Sequence, residues 1–328
     1  MSILVNLMAL SGSTGGRLTA DKLYRDAIRE HAKRLHNNYA SDFELMLTES
    51  AAYSALGKRL TLIAAHHSCS SKEFVSGLKQ IFSIEKPGLV LVEVPRDLGK
   101  ASIMSTARGD SRLWNELPWS ASLAQTSAAD IEGLDMQASE VLAVFNKHFG
   151  KDGFKLGIYW YFVNYFSSIG KFSNLTLADI YSLSKSNVIQ QFLFPSGQLS
   201  SYSREFHTLW KKCKAASLSN ALDMILQDIT DRYAEKKPIL ELIGKEGLER
   251  PYPAGTKYRI NKVNARIGSY RDLFMINTIL ESLAKYDNVI AVVGGWHVVT
   301  TKAALKEQIS AKYGKCIMRK LALRSAYS

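Results

Sequence analysis

The sequence predicts an α/β protein: a mainly parallel sheet flanked by helices, with a long helical insertion or cap. Three observations carry this. Short aliphatic runs stand at Arg59–Ala65, Leu89–Val92 and Asn288–Val293. Strands buried on both faces of a parallel sheet read as such runs, without polar alternation. Segments of helical period separate them, and strand, helix and strand in this length form a βαβ unit. Finally, about 120 residues between the two halves hold helical patterns and no strand alternation. A chain of 328 residues suits one large α/β domain with an insertion, or two domains.

The elements follow in order. Residues 1–55 are expected to form a helical segment, with Leu18, Leu23, Ile28 and Leu35 set among charges in 17–39 and a Ser/Gly linker, Ser11–Gly16, before them. The first half of the core spans 56–138. Its first strand, Arg59–Ala65, runs into His66 and His67. Ser70 or Ser71 can cap a helix whose apolar positions are Phe74, Val75, Leu78, Ile81 and Phe82. Pro87-Gly88 breaks the chain before a strand that ends at Glu93, and a short strand from Asp130 ends at Asp135. The helical insertion or cap occupies 139–265, with a turn at Pro195-Ser-Gly197. The second half of the core spans 266–328. Ser269 is expected to cap a helix with Leu273, Phe274, Ile276, Ile279, Leu280 and Leu283 on one face. That helix feeds a strand ending in Gly294-Gly-Trp-His297, where the glycines are read as allowing a tight turn. A helix at about 300–312 and a basic strand, Cys316–Leu321, complete the chain.

The formal charge is +12, and half of it falls between Lys302 and Ser328, where seven Lys/Arg face one acid. Such a basic tail suits an anionic membrane surface, or is simply a solvated helix and edge strand; nucleic acid is not expected as a partner. Cys69, Cys213 and Cys316 show neither metal spacing nor a disulfide framework, which suits a reducing compartment. The apolar start, Met1–Ser13, has no basic residue ahead of its apolar run and makes a poor signal peptide. No run reaches the ~18 apolar residues of a membrane span. The nearest, Leu156–Gly170, is uncharged and aromatic and reads as a buried helix or a contact surface. The expected location is the cytoplasm, or the interior of another cell after delivery.

In a parallel sheet the strand ends share one edge. His66/His67, Glu93, Asp135 and His297 are therefore expected there, in the crevice where open α/β sheets bind ligands. Arg271 and Asp272 join them, because a helix of about 15 residues that runs back along its strand starts on that edge. Two chemistries fit. Neutral imidazoles and carboxylates (His67, Glu93 and His297, with His66 also eligible) can hold a divalent metal whose bound water becomes a nucleophile. Alternatively, a histidine oriented by a carboxylate acts as general base, with Arg271 stabilising an oxyanion or clamping an acidic substrate. Neither a Gly-x-Ser-x-Gly elbow nor a phosphate-binding loop is present.

In their order, Ala64-Ala-His-His67, Val90-Leu-Val-Glu93, Gly133-Leu-Asp-Met-Gln137, Arg271-Asp-Leu-Phe-Met275 and Gly294-Gly-Trp-His297 resemble the motifs of the erythromycin esterase-like, TraB/Tiki and ChaN-like superfamily. The resemblance covers roughly 60–137 and 268–300. Ala64 departs from the family's glycine, and either His66 or His67 can match the first histidine, with register favouring His67. The resemblance implies a site on the carboxyl edge of an α/β core. It implies ester or lactone cleavage in one branch and metal-dependent peptide cleavage in another.

The leading expectation is a hydrolase of ester or peptide-type bonds, acting on a small molecule or peptide. Its catalytic set is His67, Glu93 and His297, supported by Asp135, Arg271 and Asp272, with a divalent metal as the cofactor the chemistry admits. The basic charge and unmatched N-terminal segment also permit a toxin or effector. The alternative is a non-catalytic haem-binding or membrane-associated signalling module, since some relatives implied by the resemblance bind haem or signal.

Overall fold

The computed structural model describes residues 22–27, 49–65, 72–108, 116–137, 140–141 and 259–321. His66, His67, Cys69, the Leu156–Gly170 segment and Arg324 lie outside the described residues, as does most of 139–265. The chain divides into two compact units, Met1–Met136 with Ser269–Ser328, and Gln137–Gly268.

The first unit holds one six-stranded sheet. Its strands are β1 (Ala51–Ala55), β2 (Lys58–Ala65), β3 (Leu89–Pro95), β4 (Asp130–Asp135), β5 (Asn288–Gly294) and β6 (Ile317–Lys320). The spatial order is β4-β3-β5-β2-β1-β6. Strands β4, β3, β5 and β2 pair in parallel, with β4 at one edge, and β1 runs antiparallel to both β2 and β6. Among the described residues the helices include α1 (Lys72–Glu85), α2 (Lys100–Arg108), α3 (Glu116–Thr126), α4 (Arg259–Lys285) and α5 (Gly295–Tyr313). The protein is thus an α/β fold with a mostly parallel sheet.

Strand side chains alternate between two cores because the pleat has a period of two. Leu60, Leu62, Ala64, Leu89, Leu91, Val289, Ala291 and Val293 meet α4 and α5 through Met275, Ile276, Ile279, Leu283, Val298, Leu305 and Ile309. Ile63, Ala65, Val90, Val92, Ile131, Ile290 and Val292 meet Phe74, Leu78 and Phe82 of α1, Ile103 of α2 and Leu117 of α3. The chain leaves β3 toward one face and β5 toward the other, although the two strands are neighbours. A crevice opens at the carboxyl edge wherever adjacent strands part in this way.

Several boundaries differ from the sequence-based expectation. Strand β1 falls inside 1–55, expected to be helical, and turns into β2 through Leu56 and Gly57, both with positive φ (41° and 78°). Its Ala-Ala-Tyr-Ser-Ala composition carries little strand signal. Helices α2 and α3 were not foreseen, and α3 has too weak an apolar stripe to announce itself. Helix α4 begins at Arg259, so Ser269 is interior and caps nothing. The preceding Gly268 lies inside the same helix, where one glycine is tolerated at about 1 kcal/mol. Leu273, expected on the buried face, is 41% exposed, while Met275 is buried. Helix α5 starts five residues before the expected position, directly at the end of β5. Among the described residues no helix is long and apolar enough to cross a membrane, and β6 is exposed along its whole length.

Candidate functional site

The site forms where β3, β4 and β5 end. Between Val92 and Pro95 the register of β3 on β4 slips, so that Glu93 and Val94 stand against Leu134 alone. Such a bulge re-aims the side chain it carries. Gly133 permits it: a Cβ there would lie 2.4 Å from the Pro95 carbonyl oxygen and 2.7 Å from that of Val94. The glycine of the Gly-x-Asp motif therefore serves a close approach of two backbones.

Glu93 is 9% exposed. Its Oε2 accepts the Gly294 N–H at 2.6 Å, at the N-cap of α5, where the helix dipole favours a carboxylate. Its Oε1 accepts from Arg271 Nη2 at 2.8 Å and lies 3.2 Å from His297 Nε2. Arg271 also grips Asp135. Its Nε donates to both carboxylate oxygens at 3.0 Å, and Nη2 donates to Oδ2 at 2.5 Å. One guanidinium thus ties the end of β3 to the end of β4, using the planar fork that lysine lacks.

His297 was expected at a strand end. It stands instead in the first turn of α5, three residues after Gly294. Strand β5 stops at Gly294 because the backbone enters the helix there. Gly294 has φ −52°, so neither it nor Gly295 is needed for a left-handed turn. Arg271 and Asp272 likewise do not open a helix but lie inside α4. They still reach the carboxyl edge, because their level is set by the helix's end at Lys285. The 14 residue steps from Arg271 to Lys285 rise about 21 Å, matching the seven residues of β5 at about 3.3 Å each.

The His297 ring is held on both sides. Nδ1 contacts Asp272 Oδ1, and Nε2 faces Glu93. Asp272 is fully buried, and its other oxygen, Oδ2, accepts from Tyr24 Oη at 2.7 Å and Thr300 Oγ1 at 2.8 Å. The main-chain oxygen of His297 accepts from Thr301 Oγ1 at 2.5 Å. Burial alone would lower the pKa of His297. The charges of Glu93 and Asp272 and their hydrogen bonds outweigh it and push the pKa up to about 10. At neutral pH the ring is an imidazolium between two carboxylates, so it is an acid in this state.

Glu93, Asp135, Arg271, Asp272 and His297 thus come together in one connected cluster. His66 and His67 lie outside the described residues; they follow directly on Ala65, whose register partner on β5 is Gly294. Tyr24 and Thr300 were missed. Thr300 is three residues after His297 and so shares its helical face, a spacing visible only once α5 is known to start at Gly295. Tyr24 gave no signal, being one aromatic among the charges of the N-terminal segment.

Among the described residues no group of three or more His, Cys, Asp or Glu side chains is arranged to hold a metal ion. The two available donors are His297 Nε2 and Glu93 Oε1. Arg271 places a fixed positive charge on that same oxygen, which opposes a cation there. The described residues alone therefore do not make a metal centre; His66 and His67, the other ligands expected from the sequence, lie outside them.

Comparison of the chain with protein-family models, with curated proteins and with solved structures returned no match.

Proposed function

We propose that the protein is a hydrolase that cleaves an ester or peptide-type bond, with His297 as its proton donor. One observation carries this: a buried imidazole held by a carboxyl group on each ring nitrogen, at the carboxyl edge of the sheet. In this reading Asp272 fixes the ring through Nδ1, leaving the Nε2 proton for the developing oxyanion or the leaving group. Arg271 acts on the substrate through others. Its contacts to Asp135 and Glu93 suit it to setting those two carboxylates. The general base that takes a proton from water is assigned to His67, with His66 beside it in sequence. The motif order that resembles the esterase-like and TraB/Tiki superfamily supports the same reaction class.

A second reading has one observation in its favour. The 3.2 Å between His297 Nε2 and Glu93 Oε1 is also the spacing of two ligands on one ion with bonds of about 2.0–2.2 Å. A metal held there with His67 would activate the water itself.

The test is hydrolysis of p-nitrophenyl esters and fluorogenic peptides by the full chain, with metal analysis of the same preparation. The expected result is turnover that His297→Ala and His67→Ala each abolish without unfolding the protein. Near-parental turnover in either variant removes that residue from the mechanism. A stoichiometric metal whose removal stops turnover selects the second reading. A folded protein with no hydrolysis of any of these probes overturns both and favours a binding or signalling module.

A further inference from the structure

We infer that Tyr24 and Thr300 are positioning residues for His297, acting through Asp272; this rests on His297 being the working histidine. Asp272 is fully buried, and a carboxylate in that state needs its lone pairs satisfied. One oxygen is given to His297 and the other to two hydroxyls. Tyr24 is itself 3% exposed and packs in the α4–α5 core, so its Oη is delivered from a fixed position. Thr300 has a single hydroxyl proton and three acceptors in reach: Asp272 Oδ2 at 2.8 Å, the Trp296 oxygen at 3.1 Å and the His297 oxygen at 3.2 Å. The carboxylate is nearest and charged, so it takes the proton.

With Oδ2 held from two directions, the carboxylate cannot rotate, and Oδ1 remains aimed at Nδ1. That fixes the ring plane and keeps Nε2 facing Glu93. Carboxylates that orient a working imidazole act in this way, and their own partners matter in turn. The consequence for the chain is specific. A residue from the N-terminal segment, 248 positions from Asp272, completes the support of the site. Tyr24 is then part of the support of the site.

The test uses the full chain labelled with ¹⁵N-histidine, with the His297 signals identified by their loss in His297→Ala. Tyr24→Phe and Thr300→Val each remove a hydroxyl and keep the shape. Each is expected to shift the Nδ1 resonance of His297 and to speed exchange of its proton, while the other histidine signals stay in place. Unchanged His297 signals in both variants, whatever their melting temperatures, would overturn the proposal, because a merely structural hydroxyl alters stability alone. Shifted signals in a protein that hydrolyses none of the ester or peptide probes would leave the positioning role intact and remove only the hydrolase reading.

Discussion

Gly133→Ala is the smallest change that should disturb the whole cluster. The added carbon would sit 2.4 Å from the Pro95 carbonyl oxygen, 2.7 Å from the Val94 oxygen and 2.8 Å from the Pro95 carbonyl carbon. All three are backbone atoms, so no flexible side chain can yield. Reaching ordinary contact requires β3 and β4 to part by about 1 Å at the bulge that carries Glu93. Overpacking of this kind costs about 1–3 kcal/mol. In a domain of this size that lowers Tm by roughly 2–10 °C. The same shift moves Glu93 and Asp135 relative to Arg271, whose contacts span only 2.5–3.0 Å. A misplacement of 1 Å at a reacting centre is worth on the order of 10²-fold in rate. Thermal unfolding followed by circular dichroism, with ester or peptide hydrolysis beside it, checks both effects. A variant that melts within 1 °C of the parent would refute the steric argument, because the backbone approach would then be looser than the geometry requires.

Three further outcomes follow from the same contacts. Arg271→Lys keeps the charge but cannot span Asp135 and Glu93 together; it should lose about 1–3 kcal/mol in denaturant unfolding, while Arg271→Met, which removes the cation the two carboxylates share, should lose about 3–5 kcal/mol. Equal losses in the two variants would show that the charge, and not the fork, is what matters. Asp272→Asn should leave the fold cooperative and reduce turnover on the order of 10²-fold or more, since the ring loses its orienting charge; unchanged turnover would remove Asp272 from the mechanism. The raised pKa of His297 has a definite sign. Its stabilisation is complete below the ordinary value of 6.5 and is lost as pH rises through about 10. Stability should therefore fall more steeply between pH 7 and 10 in the parent than in His297→Gln, and parallel curves would refute the charged state assigned here.

The central strands were legible because each announces itself locally. Leu60–Ala65, Leu89–Val92 and Val289–Val293 are aliphatic runs bounded by turn residues or helical periods, and burial on both faces demands that pattern. Strand β1 was not legible. Its small residues depend on the neighbours β2 and β6 for their strand state, and those pairings are long-range. The start of α4 was hidden for a different reason. Local propensity could not say whether Gly268-Ser269 ended one helix or lay inside another, and tertiary packing decides such cases. The place of Arg271 and Asp272 on the carboxyl edge was nonetheless readable, because it depends on where α4 ends and not on where it begins. What the sequence could not show was direction. Its place on the edge left the partners of Arg271 open; in the structure it bridges Asp135 and Glu93. Tyr24 was beyond reach altogether, since nothing local to residues 22–27 points to a partner 248 positions away.

The cluster is a poor way to hold the sheet together. Glu93, Asp272 and His297 are each less than a tenth exposed, or just at that limit, and removing charged groups from water carries a penalty that their mutual attraction offsets only with good geometry. The apolar cores on the two faces already join β3 and β5 to their helices without it. Buried ion pairs can often be replaced by apolar side chains at no loss of stability, so stability alone gives little reason for five ionisable groups to meet at this place. The geometry adds a reason of its own. The contacts to Glu93 and Asp135 align donors with the ends of β3 and β4, at the point where neighbouring strands send their chains to opposite faces. The backbone bulge at Glu93 and the close approach at Gly133 are then local irregularities with a common effect. They turn one carboxylate out of the pleat and toward an imidazolium, an arrangement suited to moving a proton and of no evident use to packing.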